Sequence, residues 1–239
     1  MARRARKSPG AAGAPISKGT ARERARPAAP PTPRWVALGL GALVLAAYAN
    51  AIPLGLAVDA PYLLTNPRLA AATAENLGLI FTKPYWWPNH TDDLYRPLTT
   101  LSLLFDPGGL MHPWTLHLGN VLLHGLNVWL AFRLGRRVMR APVAAAATAA
   151  LFAVHPIGTD TVTNVAGRAD LLATAAILGG VLAHARSLEE PARAGRWRAV
   201  LFFVALAGVF AKENAVVLLP LLALYDFVFA SEPLSLIHI

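Results

Sequence analysis

Long apolar runs broken by short arginine-rich stretches constrain this chain more than any other feature. Residues 35–52 read WVALGLGALVLAAYANAI. About 20 such residues cross the hydrocarbon core of a bilayer, and a single segment can do so only as a helix, which satisfies its own backbone groups. Further apolar runs cover about 114–134, 141–155, 170–185, 199–211 and 214–230. The expected architecture is an all-α integral membrane protein of about six transmembrane helices, with a large non-cytoplasmic first loop at 53–112. Composition agrees, with 55% hydrophobic and 15% charged residues and a mean hydropathy of +0.45. Spans three to five are short, so their ends are expected to bury polar residues inside the bundle.

Charge orients the helices. Residues 1–34 carry nine Lys or Arg against Glu23 alone, which accounts for +8 of the net +9. This Ala-, Pro-, Gly- and Arg-rich tail has no apolar period and reads as a disordered cytoplasmic segment touching anionic lipid. No folded basic face accompanies it, so nucleic acid is not an expected partner. The stretches 133–140 and 186–198 are also basic and join the tail on the cytoplasmic side. The loops at 53–112, 155–169 and 211–214 then face the other side, and six alternating spans satisfy the rule throughout. AYANA resembles a signal-peptidase site, but the basic region before it is too long for a signal peptide, so the first helix reads as uncleaved. Cysteine is absent, which removes disulfides and thiolate metal sites.

Ionisable groups gather at the necks between spans. Asp59, in VDAPYLLTNPRL, follows the first span closely. It reads either as a turn or cap residue or as a base for a hydroxyl nucleophile. Arg96, before Pro97 at the start of an apolar helix, is either a snorkelling interfacial side chain or a phosphate ligand. Asp92 and Asp93 read as solvated loop acids, with a divalent cation the one cofactor they leave open. His117, Asn120, His124 and Asn127 share one face of the second span. That polar stripe is expected to bond helices together, with a cavity lining as the other reading. FAVHPIGTDTVTNVAGRADLLA sets His155, Asp160, Arg168 and Asp170 between two apolar runs, as a functional cluster, an Arg–Asp clamp between helices, or both. Lys212 and Glu213 sit in the last hairpin, either as a local ion pair or with the lysine free to neutralise a phosphate.

Taken in order, YRPLTTLS, H-x-x-N-x-x-x-H, FAVHPIGTDTV, GRADLL and KEN…LLPLLALYD resemble the transmembrane and tetratricopeptide-repeat O-mannosyltransferases and their bacterial relatives over about residues 53–230. That family is similar to the type-C glycosyltransferases. The resemblance implies a membrane enzyme that moves a hexose, mannose being the family's best-known choice, from a polyprenyl-phosphate donor to an acceptor protein or glycan, often a Ser or Thr hydroxyl. It implies Asp59 as the catalytic acid of the first loop, Arg96, Arg168 and Lys212 as the lipid-phosphate site, and His155, Asp160 and Asp170 as further substrate-binding residues. His117, Asn120 and His124 remain a structural stripe. The chain departs from the pattern in two ways. Val58-Asp59-Ala60 offers one carboxylate where the family has paired acids, and residue 160 is Asp where Glu is usual.

No 34-residue helical repeat is present. PLSLIHI, within 231–239, resembles the translation of a sequencing adapter, so the chain is expected to be the N-terminal fragment of a longer enzyme, inactive alone, with a membrane domain at 35–230. The Ala- and Arg-rich composition suggests a GC-rich bacterial genome, hence a bacterial inner membrane with the active face periplasmic. A transporter of lipid-linked substrate and a non-catalytic membrane scaffold are the rival functions.

Overall fold

A computed structural model of the chain describes residues 34–56, 62, 63, 65–89, 94–108, 112–139 and 141–229. Asp59, Asp92, Asp93, the tail 1–33 and the segment 230–239 lie outside the described residues. Every regular element among those described is helical. In chain order these are α1 (Arg34–Tyr48), α2 (Ala74–Thr82), α3 (Pro97–Leu104), α4 (Pro113–Met139), α5 (Pro142–Val154), α6 (Gly158–Thr163), α7 (Arg168–Glu189), α8 (Ala194–Ala211) and α9 (Leu218–Phe229).

Among the described residues three segments are long and apolar enough to cross a membrane, Arg34–Ala51, Val165–Glu189 and Pro191–Ala211. The chain is an all-α integral membrane protein. The expected boundaries shift where arginines begin or end a helix. The second apolar run was expected to end near residue 134, but α4 continues through Arg133, Arg136 and Arg137 to Met139. Its 27 residues extend about 40 Å, longer than a hydrocarbon core of about 30 Å. The basic stretch is therefore the last turns of a helix rather than a loop, with its cations favourably placed at the negative end of the helix dipole. The expected basic loop at 186–198 likewise shrinks to Glu190 and the single turn Pro191–Arg193, because α7 and α8 extend into it.

Helix α7 is central. Of its apolar stretch 44% is buried inside the molecule, against 11% for that of α8. It packs on α4 and α8, while α1 and α5 complete the other side of α4. The inner face of α5 is made by Ala145, Ala149 and Ala153, four residues apart and fully covered. They meet Leu40, Val44, Val121, Val128 and Phe132 in the main apolar cluster. Close approach of α7 and α8 depends on Gly208, where a Cβ would stand 2.6 Å from the Ala176 Cβ. Small residues at such contacts let helices in a membrane gain packing area.

The first loop is folded rather than loose. Leu63, Leu69, Tyr85, Leu103, Leu116 and Val165 form a second cluster beneath it. Arg68 is completely buried and donates to Asn66 Oδ1 at 3.1 Å, Tyr85 O at 2.9 Å and Trp87 O at 3.2 Å. Its guanidinium also lies over the Trp87 ring at 5.4 Å. Burial pulls its proton affinity down, yet a guanidinium stays charged, so the charge is spread over carbonyl dipoles. These contacts hold the loop together, and the second cluster packs it on the bundle through Leu103, Leu116 and Val165.

Candidate functional site

The charged groups sort to two ends of the bundle. The loop end carries the first loop, the turn 155–167 and the hairpin 212–217. The arginine end carries Arg34, Arg133, Arg137 and the α7–α8 connection.

At the loop end, Arg168 opens α7 and is 3% exposed. Its Nε donates to Asn120 Oδ1 at 3.0 Å, Nη1 to Ser102 O at 3.2 Å, and Nη2 to Asp106 Oδ2 at 3.1 Å and to Leu116 O at 2.7 Å. One guanidinium thus joins α3, α4 and α7. The clamp expected from the sequence exists, but its carboxylate is Asp106, not Asp160 or Asp170. Residues 168 and 170 stand roughly 200° apart around a helix and cannot share a partner. With these donors turned inward, the Arg168 guanidinium braces three helices.

Asp170 instead accepts from Lys212 Nζ at 2.6 Å. Glu213, next in sequence, accepts from Arg96 Nη2 at 2.6 Å and from Arg96 Nε at 3.1 Å. A local Lys212–Glu213 pair was one expectation, yet each residue reaches a different element. The Arg96 guanidinium also lies 5.4 Å from the Tyr85 ring centroid, and Thr99 Oγ1 donates to Ala211 O at 2.8 Å, holding α3 against the hairpin. In both pairs the cation is the covered member. Arg96 and Lys212 side chains are 11% and 16% exposed, against 52% for Glu213 and 41% for Asp170. Hydrogen bonding from Arg96 holds the Glu213 carboxyl below the usual carboxylate range, against a smaller opposing effect of burial.

The polar stripe on α4 divides. Asn120 Nδ2 donates to Asn164 O at 2.9 Å, His124 Nε2 lies 3.0 Å from Ala153 O, and Asn127 Nδ2 donates to Leu171 O at 2.9 Å. These three bond α4 to its neighbours, as expected of helix glue. His117 does not. It is 3% exposed, and neither ring nitrogen has a hydrogen-bond partner. His155 and Asp160 also stand apart from the expected cluster. His155 Nδ1 accepts from Ile157 N at 3.2 Å, which closes its own turn. Asp160, on the exposed side of α6, forms no ion pair with a described residue. Among the described residues no group of His, Asp or Glu converges to hold a metal.

Asp106 and Glu213 were missed as site residues. Asp106, in LSLLFDPGG, carries one signal, a carboxylate directly after an apolar stretch that needs a buried cation. At the arginine end, His184 Nε2 lies 2.6 Å from Asp226 Oδ1, and Arg137 Nη2 pairs with Glu189 at 2.8 Å. These contacts close α4, α7 and α9 far from the loop-end pairs.

Residues 102–237 match the family model described as dolichyl-phosphate-mannose-protein mannosyltransferase. The chain is 33% identical over 195 residues to the protein O-mannosyl-transferase Tmtc2 of Drosophila melanogaster, covering 77% of this chain and 21% of that protein. It is 30% identical over 219 residues to human protein O-mannosyl-transferase TMTC4, covering 81% of this chain and 29% of that protein. The chain therefore spans less than a third of the length of these curated relatives. No solved structure matches it. A helical membrane bundle with a braced loop end, together with a family match over more than half its length, places this chain in the dolichyl-phosphate-mannose-protein mannosyltransferase family.

Proposed function

We propose that this chain forms part of a membrane glycosyltransferase that moves a hexose, mannose by family likeness, from a polyprenyl-phosphate carrier to a Ser or Thr hydroxyl at the loop end of the bundle. That end is taken as the non-cytoplasmic face, because the arginines of α4 and of the α7–α8 connection mark the opposite side. The observation that carries the reading is the pair of ion pairs Arg96–Glu213 and Lys212–Asp170. The neighbouring hairpin residues Lys212 and Glu213 tie two covered cations to this end, Lys212 itself and Arg96 at the start of α3, and the carboxylate partners Asp170 and Glu213 are the more exposed members.

The chemistry follows from that asymmetry. The acceptor oxygen attacks the anomeric carbon, the bond from that carbon to the phosphate oxygen breaks, and the polyprenyl phosphate departs with the bonding electrons. Arg96 and Lys212 stabilise the negative charge that grows on the leaving phosphate. Arg96 offers a planar fork and Lys212 a compact charge. Glu213 and Asp170 hold these cations in place until the phosphate replaces them. Asp59 takes the hydroxyl proton. Arg168 shapes the site from behind without touching substrate.

The test uses the protein expressed from the complete gene, reconstituted in vesicles with radiolabelled polyprenyl-phosphate mannose and a Ser/Thr-rich peptide. Label should move to the peptide, and Arg96→Gln with Lys212→Gln should reduce transfer by roughly 100-fold or more, since each charged hydrogen bond contributes about 1.5–3 kcal/mol. Donor binding or vesicle crossing without transfer would reject the enzyme reading.

A further inference from the structure

Helices α1 and α4 leave an apolar groove between them that neither family membership nor the sugar-transfer reading uses. Its volume is about 290 Å³, and it is lined by Ala37, Leu40, Gly41, Val44 and Leu45 of α1 and by Val121, Leu122, Gly125 and Trp129 of α4. Gly41 and Gly125 border open space, where a Cβ on either would meet nothing within 4 Å.

The helices run in opposite directions. Tyr48, the last residue of α1, packs edge-on against His124 at 5.2 Å, near the loop end at which α4 begins. Trp129 therefore lies toward the end where α1 starts. Arg133 stands one turn beyond it on the same face of α4, with its guanidinium 5.8 Å from the Trp129 ring centroid. Arg34, the first residue of α1, shares a face with Gly41 seven residues later. Neither arginine forms an ion pair with a described residue. The groove thus has an apolar channel bordered by two glycines, a tryptophan toward its arginine end, and beyond it two cations with no ion-pair partner among the described residues.

We infer that this groove is a binding site for an anionic phospholipid, with one acyl chain along Gly41 and Gly125 and the headgroup phosphate between Arg34 and Arg133. Charge decides the occupant. A second copy of the helix pair would bring the same two arginines toward themselves, whereas an anionic headgroup neutralises them. Trp129 supplies the amphipathic ring that such boundaries favour. A zwitterionic lipid fills the channel equally well but compensates the arginines less.

Native mass spectrometry of the detergent-purified full chain, with palmitoyl-oleoyl phosphatidylglycerol and phosphatidylcholine added in turn, tests this. One phosphatidylglycerol should be retained per chain and phosphatidylcholine should not. Arg34→Gln and Arg133→Gln should each weaken retention about five-fold. Arg193→Gln and Arg196→Gln, basic but outside the groove, should leave it unchanged. Gly41→Leu with Gly125→Leu should abolish it. If the filled variant does not fold, the arginine variants decide alone. Equal retention of both lipids, or retention insensitive to Arg34 and Arg133, would overturn the inference. So would a wild-type dimer that becomes monomeric on filling the groove, which would assign the groove to a second copy.

Discussion

Asp106→Ala tests the brace most severely. In the native protein the Arg168 guanidinium is almost fully covered, and Asp106 Oδ2 at 3.1 Å is its carboxylate partner. Removing that carboxylate leaves a buried cation held only by Asn120, Ser102 O and Leu116 O. Uncompensated buried charges of this kind cost about 3–5 kcal/mol. The double change Arg168→Met with Asp106→Leu removes the desolvated charges together and should be much milder, since apolar replacement of a buried pair is often neutral or stabilising. Glu213→Ala breaks a pair whose carboxylate is half exposed and should cost less than about 1 kcal/mol. The assay is unfolding of the purified protein in detergent, followed by tryptophan fluorescence. The reasoning fails if Asp106→Ala and Glu213→Ala lower stability equally, or if the double change is as damaging as Asp106→Ala alone.

Other predictions follow from single contacts. His117→Leu should stabilise the protein by about 1 kcal/mol, because it removes two buried nitrogens without partners. His124→Leu should destabilise it, and equal losses for both in thermal unfolding would contradict the division of the stripe. Gly208→Val should cost about 1–3 kcal/mol by forcing α7 from α8, readable as a lower unfolding midpoint. Arg68→Ala should expose the first loop to limited proteolysis while leaving the helical circular dichroism of the bundle unchanged. Glu213 gives a pH dependence of known sign. Its folded value lies below its unfolded one, so its stabilisation is present above the ordinary carboxylate range and lost as pH falls through the depressed folded value. Glu213→Gln should flatten that part of the stability–pH curve and leave the neutral limb almost unchanged.

The helices were legible because membrane burial imposes long apolar runs, and all six expected runs contain a helix. Their ends were less so. A run of arginines reads as a loop when charge is taken to mean water, but Arg136 and Arg137 continue α4 and Arg168 starts α7. Which residues carry charge in the site was largely visible, yet their partners were not. Arg168 meets a carboxylate 62 residues away and Arg96 one 117 residues away. The neighbouring charges Asp160 and Asp170 misled because proximity in sequence ignores helical phase. No pattern within H-x-x-N-x-x-x-H separates His117, without a partner, from His124, with one. That difference depends on where α5 ends.

The most direct test of the site compares binding of free polyprenyl phosphate by wild type, Arg96→Gln and Glu213→Gln in the same vesicles. The account predicts opposite signs. Arg96→Gln should weaken binding roughly ten-fold or more, whereas Glu213→Gln should tighten it, because the carboxylate that competes with the phosphate for Arg96 is gone. If Glu213→Gln weakens binding as Arg96→Gln does, the two residues act as one structural pair, and the loop-end cations are not the phosphate site.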